Sequence, residues 1–405
     1  MQPLEMTEEL AEFTARGAGT DAERRAARWL AGELVASRHR VRIETFWCRP
    51  NWALAHAWHV ALALVGSLLS VSHPTIGAIL VGIALLSTLT DATFGISLGR
   101  RLTPEHASQN VLASRTAPHP EATPDRQPTR LILTTNYDAG RTALIYRNPL
   151  RRAAATVRRL AGGATPGWQA WVSIGIAWSL AIAIVRTTQT HPASALGVLQ
   201  LPPTIALVIA LALLLEAAGA AYGPAAGDNG TGVAVAIALA GALAADPPGN
   251  LTVEVVLQGA GDAEQLGLRR HLRSHRRELR QAGAIVVGIA ACGGGEPRWW
   301  LSDGRLVPLR YARRLRALAE QTDAGPHRGR GATPALPARA AGLAAIAIGC
   351  LDDQALAPRS HQRTDTPSEI EPAALGRALE LGLTLVKAID ASLRTEPQTE
   401  AATPA

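Results

Sequence analysis

Cysteine is scarce in this chain. Cys48, Cys292 and Cys350 are the only thiols and none stands in a C-x-x-C spacing, which excludes a disulfide framework and a cysteine-built zinc site. Three isolated thiols suit a reducing compartment. Aromatic residues make up only 4% of the sequence, and no stacking set of them surrounds the densest arginine run, Arg269 to Arg280, so no nucleic-acid partner is expected. That run is too dense for one helix face and reads first as solvated, then as a contact for anionic lipid. The opening residues, Met1 to Leu10, are acidic and lack the basic-then-apolar order of a signal peptide. Two nucleotide signatures are also missing. The loop Gly227 to Gly232 has no Lys-Ser/Thr ending, and Gly259-Ala260-Gly261 is followed by Glu264 where a dinucleotide fingerprint needs glycine.

Long apolar runs, by contrast, are present. Nine of the aromatic residues are Trp, and most flank apolar or charged stretches, as at a membrane interface. Trp52 to Val71 and Thr75 to Thr90 are apolar apart from His56, His59 and small polar residues. Trp168 to Val185 and Ala193 to Leu215 form a second pair, with Pro202 and Pro203 near the start of its second run. A hydrocarbon core takes about 20 residues to cross, so the sequence predicts two transmembrane hairpins and a lipid bilayer as partner; long helices in a soluble core are the bland alternative. The short turns Ser72 to Pro74 and Thr187 to Pro192 carry no Lys or Arg, whereas Arg38, Arg40, Arg42, Arg49, Arg100, Arg101, Arg151, Arg152, Arg158 and Arg159 flank the runs. By the positive-inside rule this multi-pass protein sits in the cell membrane with both termini and its polar domain cytoplasmic. His56 and His59 read as helix-contact residues, although an ionisable group in a span raises a functional question.

What remains alternates between strand and helix. Thr20 to Glu23 is a capping-box pattern ahead of a helix over Asp21 to Ser37. Arg40 to Phe46, Leu131 to Thr135, Leu251 to Gln258, Ala284 to Ile289 and Leu343 to Ile348 read as strands. Val233 to Leu243, Arg269 to Arg280 and Glu371 to Asp390 read as helices. Arg115 to Arg130 is a loop and Thr395 to Ala405 a frayed tail. The fold class expected is α/β, a mostly parallel mixed sheet flanked by helices, with two inserted hairpins. The domain map is residues 1–50, 96–165 and 218–394 for the α/β domain, 51–95 and 166–217 for the hairpins, and 395–405 for the tail.

In such a sheet ligands bind beyond the C-terminal strand ends, and four polar clusters fall there. They are Asn136-Tyr137-Asp138, Gly227-Asp228-Asn229, Gly261-Asp262-Ala263-Glu264 and Ser360 to Asp365. The glycine loop places Asp228 just before a helix, either as a plain capping residue or as an aimed carboxylate. Gathered in one cleft, Asp228, Asp262 and His361 offer oxygen and imidazole ligands suited to zinc, with Asp138 and Asp365 as acceptors that orient them.

The order of these clusters resembles the M28 family of zinc aminopeptidases, which shows H-x-D, then G-x-D-N-x-S-G opening a helix, E-E-x-G-L-x-G, N-L-D and a final H-x-x-x-D-T. The counterparts are Asn136-Tyr137-Asp138, Gly227 to Gly232, Gly261-Asp262 with Gly267, Gly288-Ile289-Ala290, and His361 with Asp365-Thr366. The likeness also takes in the N-terminal helix and Asn110-Val111-Leu112, nearly all of the chain outside the hairpins. It implies a two-zinc hydrolase, and the departures alter that expectation. The first zinc would need the first His, the bridging Asp and the late Asp, which read here Asn136, Asp228 and Ala290, so that site should be empty. The second would use Asp228, Asp262 and His361, leaving one weak zinc or none. The family's general base, the first Glu of the pair, is Gly261; Glu264 is the tentative substitute. The reading preferred is a membrane protein whose M28-like domain binds a peptide, small molecule or partner without efficient hydrolysis. The alternatives are a single-zinc aminopeptidase and a membrane scaffold with an idle cleft.

Overall fold

The computed structural model describes residues 2–115, 128–163, 165–189 and 194–394. Most of the loop expected over Arg115 to Arg130, the end of the Thr187 to Pro192 turn and the tail Thr395 to Ala405 lie outside the described residues. Nine strands form one sheet: β1 Arg40–Cys48, β2 His106–Ser114, β3 Thr129–Asn136, β4 Leu251–Gln258, β5 Ile285–Ile289, β6 Glu296–Asp303, β7 Leu309–Arg310, β8 Gly325–Arg328 and β9 Ala344–Leu351. Their order is β1-β2-β4-β3-β5-β9-β6-β7, with β8 on β6. The centre, β4-β3-β5-β9, is parallel. Antiparallel β2 and β6 border it on either side.

The central strands are apolar on both faces, as a sheet covered by helices requires. Leu131 and Leu133 of β3 point into one core and Ile132 into the other. The first core is closed by helices Pro3–Ala11, Asp21–Ala36, Thr231–Ala245 and Pro372–Arg394. The second is closed by Leu266–Ser274 and Leu336–Ala340. The sheet and its parallel centre agree with the fold class expected from the sequence. Strands β2, β6, β7 and β8 were not legible as strands, because polar and charged residues interrupt their apolar pattern. The charged helix expected over Arg269 to Arg280 is in fact two, Leu266–Ser274 and Arg276–Gln281, broken at His275.

Both apolar pairs are helical hairpins, Trp52–Leu69 with Pro74–Phe94 and Trp168–Thr188 with Ser194–Gly219. The first helix starts where the Asn51 side chain accepts from Leu54 N at 3.1 Å, and the second stops at Gly95, whose φ of 68° a side chain would strain. Pro202 and Pro203 lie inside the fourth helix rather than ending it. Among the described residues five helices are long and apolar enough to cross a membrane. The fifth, Ala226–Ala245, has its apolar residues in the first core of the α/β domain. The hairpins pack on one another, and Val65, Leu68, Ile79, Leu86, Trp178 and Val208 face outward, exposed.

The hairpins meet the α/β domain through a buried ionic cluster. Arg100, 4% exposed, bonds Asp91 of the second helix at 2.5 Å and also pairs with Glu264. Glu264 further accepts from Gln169 of the third helix at 2.5 Å and from Arg305 at 2.7 Å. His56 Nε2 of the first helix stands 3.5 Å from both Asp91 and Glu264, and His59 Nε2 accepts from Gly99 N at 3.2 Å. Arg269 caps the end of Pro74–Phe94, donating to the carbonyls of Ala92 and Thr93 at 3.3 and 2.7 Å. His56 and His59 are thus parts of a polar joint rather than plain packing residues.

Candidate metal site and cleft

The four polar clusters gather because β3, β4, β5 and β9 run parallel and end on one edge. Asn136 closes β3, Asp262 follows β4, Ala290 follows β5, and His361 lies in the loop after β9. Asp228 sits in a wide π-type turn, Ala226–Gly230, that opens directly into helix Thr231–Ala245.

His361 Nε2 lies 3.3 Å from Asp262 Oδ1 and 3.6 Å from Asp228 Oδ2. Bonds of about 2.0–2.2 Å to a tetrahedral zinc put neighbouring ligand atoms roughly 3.4 Å apart, a spacing that the imidazole has from each carboxylate, whereas the two carboxylates stand further from each other. The other ring nitrogen, Nδ1, is 3.3 Å from the Arg141 carbonyl, which accepts only if Nδ1 carries the proton. That tautomer aims the Nε2 lone pair at two carboxylates, an arrangement that a cation between them stabilises. Tyr146 stacks on the ring at 4.1 Å between centroids and 13° between planes. A side chain at Gly140 would run into the same imidazole, which is why that position is glycine. Asp228, Asp262 and His361 are donor types suited to one zinc, with the carboxylates having to draw in toward it, and its chemistry would be to polarise a bound carbonyl or water.

Buried carboxylates fix the loops from behind. Asp365 accepts from Gly227 N at 2.8 Å and Asp228 N at 3.1 Å; Asp138 accepts from Gly261 N at 2.8 Å and Asp262 N at 3.1 Å. Both orient the backbone of a ligand residue rather than its side chain. Burial, reinforced by Asp228, pushes Asp365 up to about 7, and burial, with Glu23 and Asp262, pushes Asp138 well above the usual range. Two further groups gave no sequence signal. Arg16, fully buried, donates to the carbonyls of Tyr137, Pro224 and Ala225 at 2.9, 2.6 and 2.7 Å, tying β3 to the glycine loop. Burial lowers it to about 10 against the pull of Asp138 and Asp365. Glu23, the expected capping-box partner, instead accepts from Gly19 N at 2.7 Å, Ala260 N at 2.9 Å and Ser108 Oγ at 2.9 Å.

Burial pushes Glu23 from 4.5 to about 7 against those three donors. A carboxyl raised in the folded state contributes stability that is full below its unfolded value and lost as pH rises through about 7. The full-length protein should therefore melt higher at pH 5.5 than at pH 8. Glu23 would account for roughly 2 kcal/mol of that difference. Thermal midpoints of Glu23→Gln across this range should show a flatter profile; an unchanged slope would remove Glu23 from the account.

The departures from the family pattern sit together. Asn136 is 8% exposed and its Oδ1 is buried without a partner. Its carboxamide lies against Gly261 so closely that a Cβ at 261 would overlap it. The two substitutions thus fill one volume: the side chain at 136 occupies the room a residue at 261 would need. Ala290 lines the same cleft and offers no ligand. Glu264 does not replace the missing base. It has φ 70°, lies outside the cleft lining and is engaged by Arg100, Gln169 and Arg305. Burial alone would raise its carboxyl, but the guanidiniums of Arg100 and Arg305, with His56, hold it well below the usual range.

Among the described residues two clusters, Glu44-His271-His275 and His56-His59-Asp91, have all three ligand atoms within 4.8 Å of one another, a closeness that Asp228, Asp262 and His361 do not reach. In each an arginine already holds the carboxylate, Arg42 on Glu44 and Arg100 on Asp91.

The cleft over the site encloses about 380 Å³, within the range of small-molecule pockets. Trp52 and Trp168, the first residues of two hairpin helices, form part of its wall.

Residues 215–386 match the model of Peptidase family M28. No curated protein matches the chain in sequence. Among solved structures, the aminopeptidase from Aneurinibacillus sp. strain AM-1 aligns at 13% identity over 95% of this chain and 93% of its own, with a TM-score of 0.52. BSAP, a zinc aminopeptidase from Bacillus subtilis, aligns at 12% identity over 95% and 93%, with a TM-score of 0.53. LapA aminopeptidase from Legionella pneumophila aligns at 10% identity over 98% of this chain and 70% of its own, with a TM-score of 0.50. The family match runs from the end of the second hairpin into the last helix, and the sheet and strand-end clusters around it give the α/β domain an aminopeptidase-like fold similar to Peptidase family M28.

Proposed function

We propose that this is a multi-pass membrane protein whose M28-type domain binds a small ligand at a single cation and turns it over poorly or not at all. The observation that carries the reading is the contact between Asn136 and Gly261: the positions that would supply a second zinc ligand and a general base are packed against each other. The donors left, Asp228, Asp262 and His361, suffice for one zinc. A positioned acid or base is worth about 10² to 10⁴ in rate. The outward apolar side chains of the hairpins support burial in lipid, because a patch of that extent is rare on a soluble monomer. Positive flanks and uncharged turns favour a cytoplasmic domain. In this arrangement the three donors hold the cation, Asp138 and Asp365 keep their loops rigid, and Tyr146 fixes the imidazole plane.

The test combines metal analysis of purified full-length protein with hydrolysis of a panel of aminoacyl anilides, with and without added zinc. The expected result is at most one zinc per chain, lost in Asp228→Asn, with no chelator-sensitive hydrolysis. Two zincs per chain, or turnover abolished by a chelator, would retire the proposal in favour of a working aminopeptidase.

A further inference from the structure

The cleft is chemically two-ended. Asp228, Asp262 and the unpartnered Asn136 Oδ1, all acceptors, line one part of it. Another part is lined by Arg158, Arg330 and His327, contributed by helix Asn148–Leu160, the loop after β8 and β8 itself. Arg158 Nε is buried with no hydrogen-bond partner. Arg330 donates only to the carbonyls of Thr165, Gly329 and Gly163, at 2.7, 3.0 and 2.6 Å. Among the described residues neither guanidinium is ion-paired to a carboxylate.

The two arginines are near enough to repel. After burial, Arg330 is the main influence lowering Arg158, and only Asp303 opposes it. Asp303 bonds to neither guanidinium, its oxygens accepting instead from Gly304 N at 2.9 Å, Gly331 N at 3.0 Å and Thr333 N at 2.7 Å. His327 is lowered to about 4 by burial and by Arg158, Arg298 and Arg330. A half-buried guanidinium whose buried Nε–H has no acceptor, standing beside a like charge, is stabilised by an anion between the two.

We infer that the cleft takes a short zwitterionic ligand, a dipeptide-sized molecule whose free carboxylate is held by Arg158 and Arg330 while its amino end faces Asp228, Asp262 and Asn136. The inference rests on the proposed ligand-binding reading and adds to it the recognition of a free anionic end. The cleft volume of about 380 Å³ keeps the ligand small. A guanidinium fork bonds a carboxylate through two parallel N–H groups, and a C-terminal amide cannot reproduce that pairing.

The experiment is calorimetric titration of full-length protein in detergent micelles, at fixed ionic strength, with Ala-Ala and with its C-terminal amide. Zinc content is measured on the same samples. The free acid should bind about ten- to a hundredfold more tightly than the amide, the usual worth of hydrogen bonds to a charged group. Arg158→Gln should bring that ratio close to one, with the amide affinity and the zinc content unchanged. Inorganic phosphate should compete with Ala-Ala and not with the amide. Equal affinities of wild type for acid and amide, no binding of either, or an unchanged preference in Arg158→Gln would each overturn the inference. The wild-type comparison decides the matter even where the variant does not fold. Zinc bound without discrimination between acid and amide sinks this inference alone, whereas two zincs or chelator-sensitive turnover sinks the reading beneath it.

Discussion

Glu264→Ala should cost the full-length protein roughly 3–5 kcal/mol, because it leaves the buried Arg100 with Asp91 alone and takes from Arg305 and Gln169 the carboxylate they donate to. Arg100 and Glu264 are 4% and 5% exposed, so solvent cannot compensate. Unfolding in detergent micelles, followed by tryptophan fluorescence, should show a large drop in midpoint. Loosening should centre on the hairpins, since Asp91, Gln169 and His56 share the cluster. The double replacement of Arg100 and Glu264 by methionine should lose much less than the sum of the single changes, as residues in one network are coupled. Zinc content of Glu264→Gln should stay as in wild type. An unchanged midpoint would show that the joint does not hold the domain to the helices. Altered turnover at unchanged stability would return Glu264 to the role of proton acceptor.

A gain of activity is the second large effect. Gly261→Glu alone should be destabilising and inactive, because its Cβ meets the Asn136 carboxamide. Combining Asn136→His, Gly261→Glu and Ala290→Asp supplies the second ligand set and the base that the resemblance implies, provided the ring at 136 turns toward a bound zinc and away from the new Cβ at 261. Hydrolysis of aminoacyl anilides should then rise by about 10² to 10⁴ over wild type. Zinc should approach two per chain. If the single Gly261→Glu variant folds as well as wild type and hydrolyses the anilides, the contact at 136 and 261 does not limit chemistry and the proposed impairment fails.

The sequence carried the hairpins plainly, because an apolar run of spanning length has few other uses. It carried the strand-end clusters too, since loop glycines and lone acids beside apolar strands are local signals. His361 stands beside both Asp228 and Asp262. What could not be read were side chains whose partners lie far along the chain. Glu264 pairs with a residue 164 positions away, and Arg16 reaches carbonyls more than 200 positions away. Nothing local separates a buried arginine from a solvated one. Arg151 and Arg158 counted as positive flanks of a membrane span, yet both line the cleft. Glu23 matched a capping box by spacing, and the loop at Ala260 drew its carboxylate elsewhere. Polar β2 was hidden by residues such as Gln109 and Asn110, which are buried through bonds to other segments.

The first hairpin interrupts a single antiparallel ladder, for β1 and β2 pair from Arg40 with Ser114 to Cys48 with His106 around it. On the proposed topology, synthesis must deliver two crossings before that clasp can shut, and the central strand β4 emerges only after two more. Sheet closure therefore comes late, with β1 waiting on the emerging chain. On that topology the closed domain is joined to the bilayer through both ends of each hairpin, so its mouth would keep one bearing toward the lipid surface and a single proteolytic nick within one hairpin would not set it free.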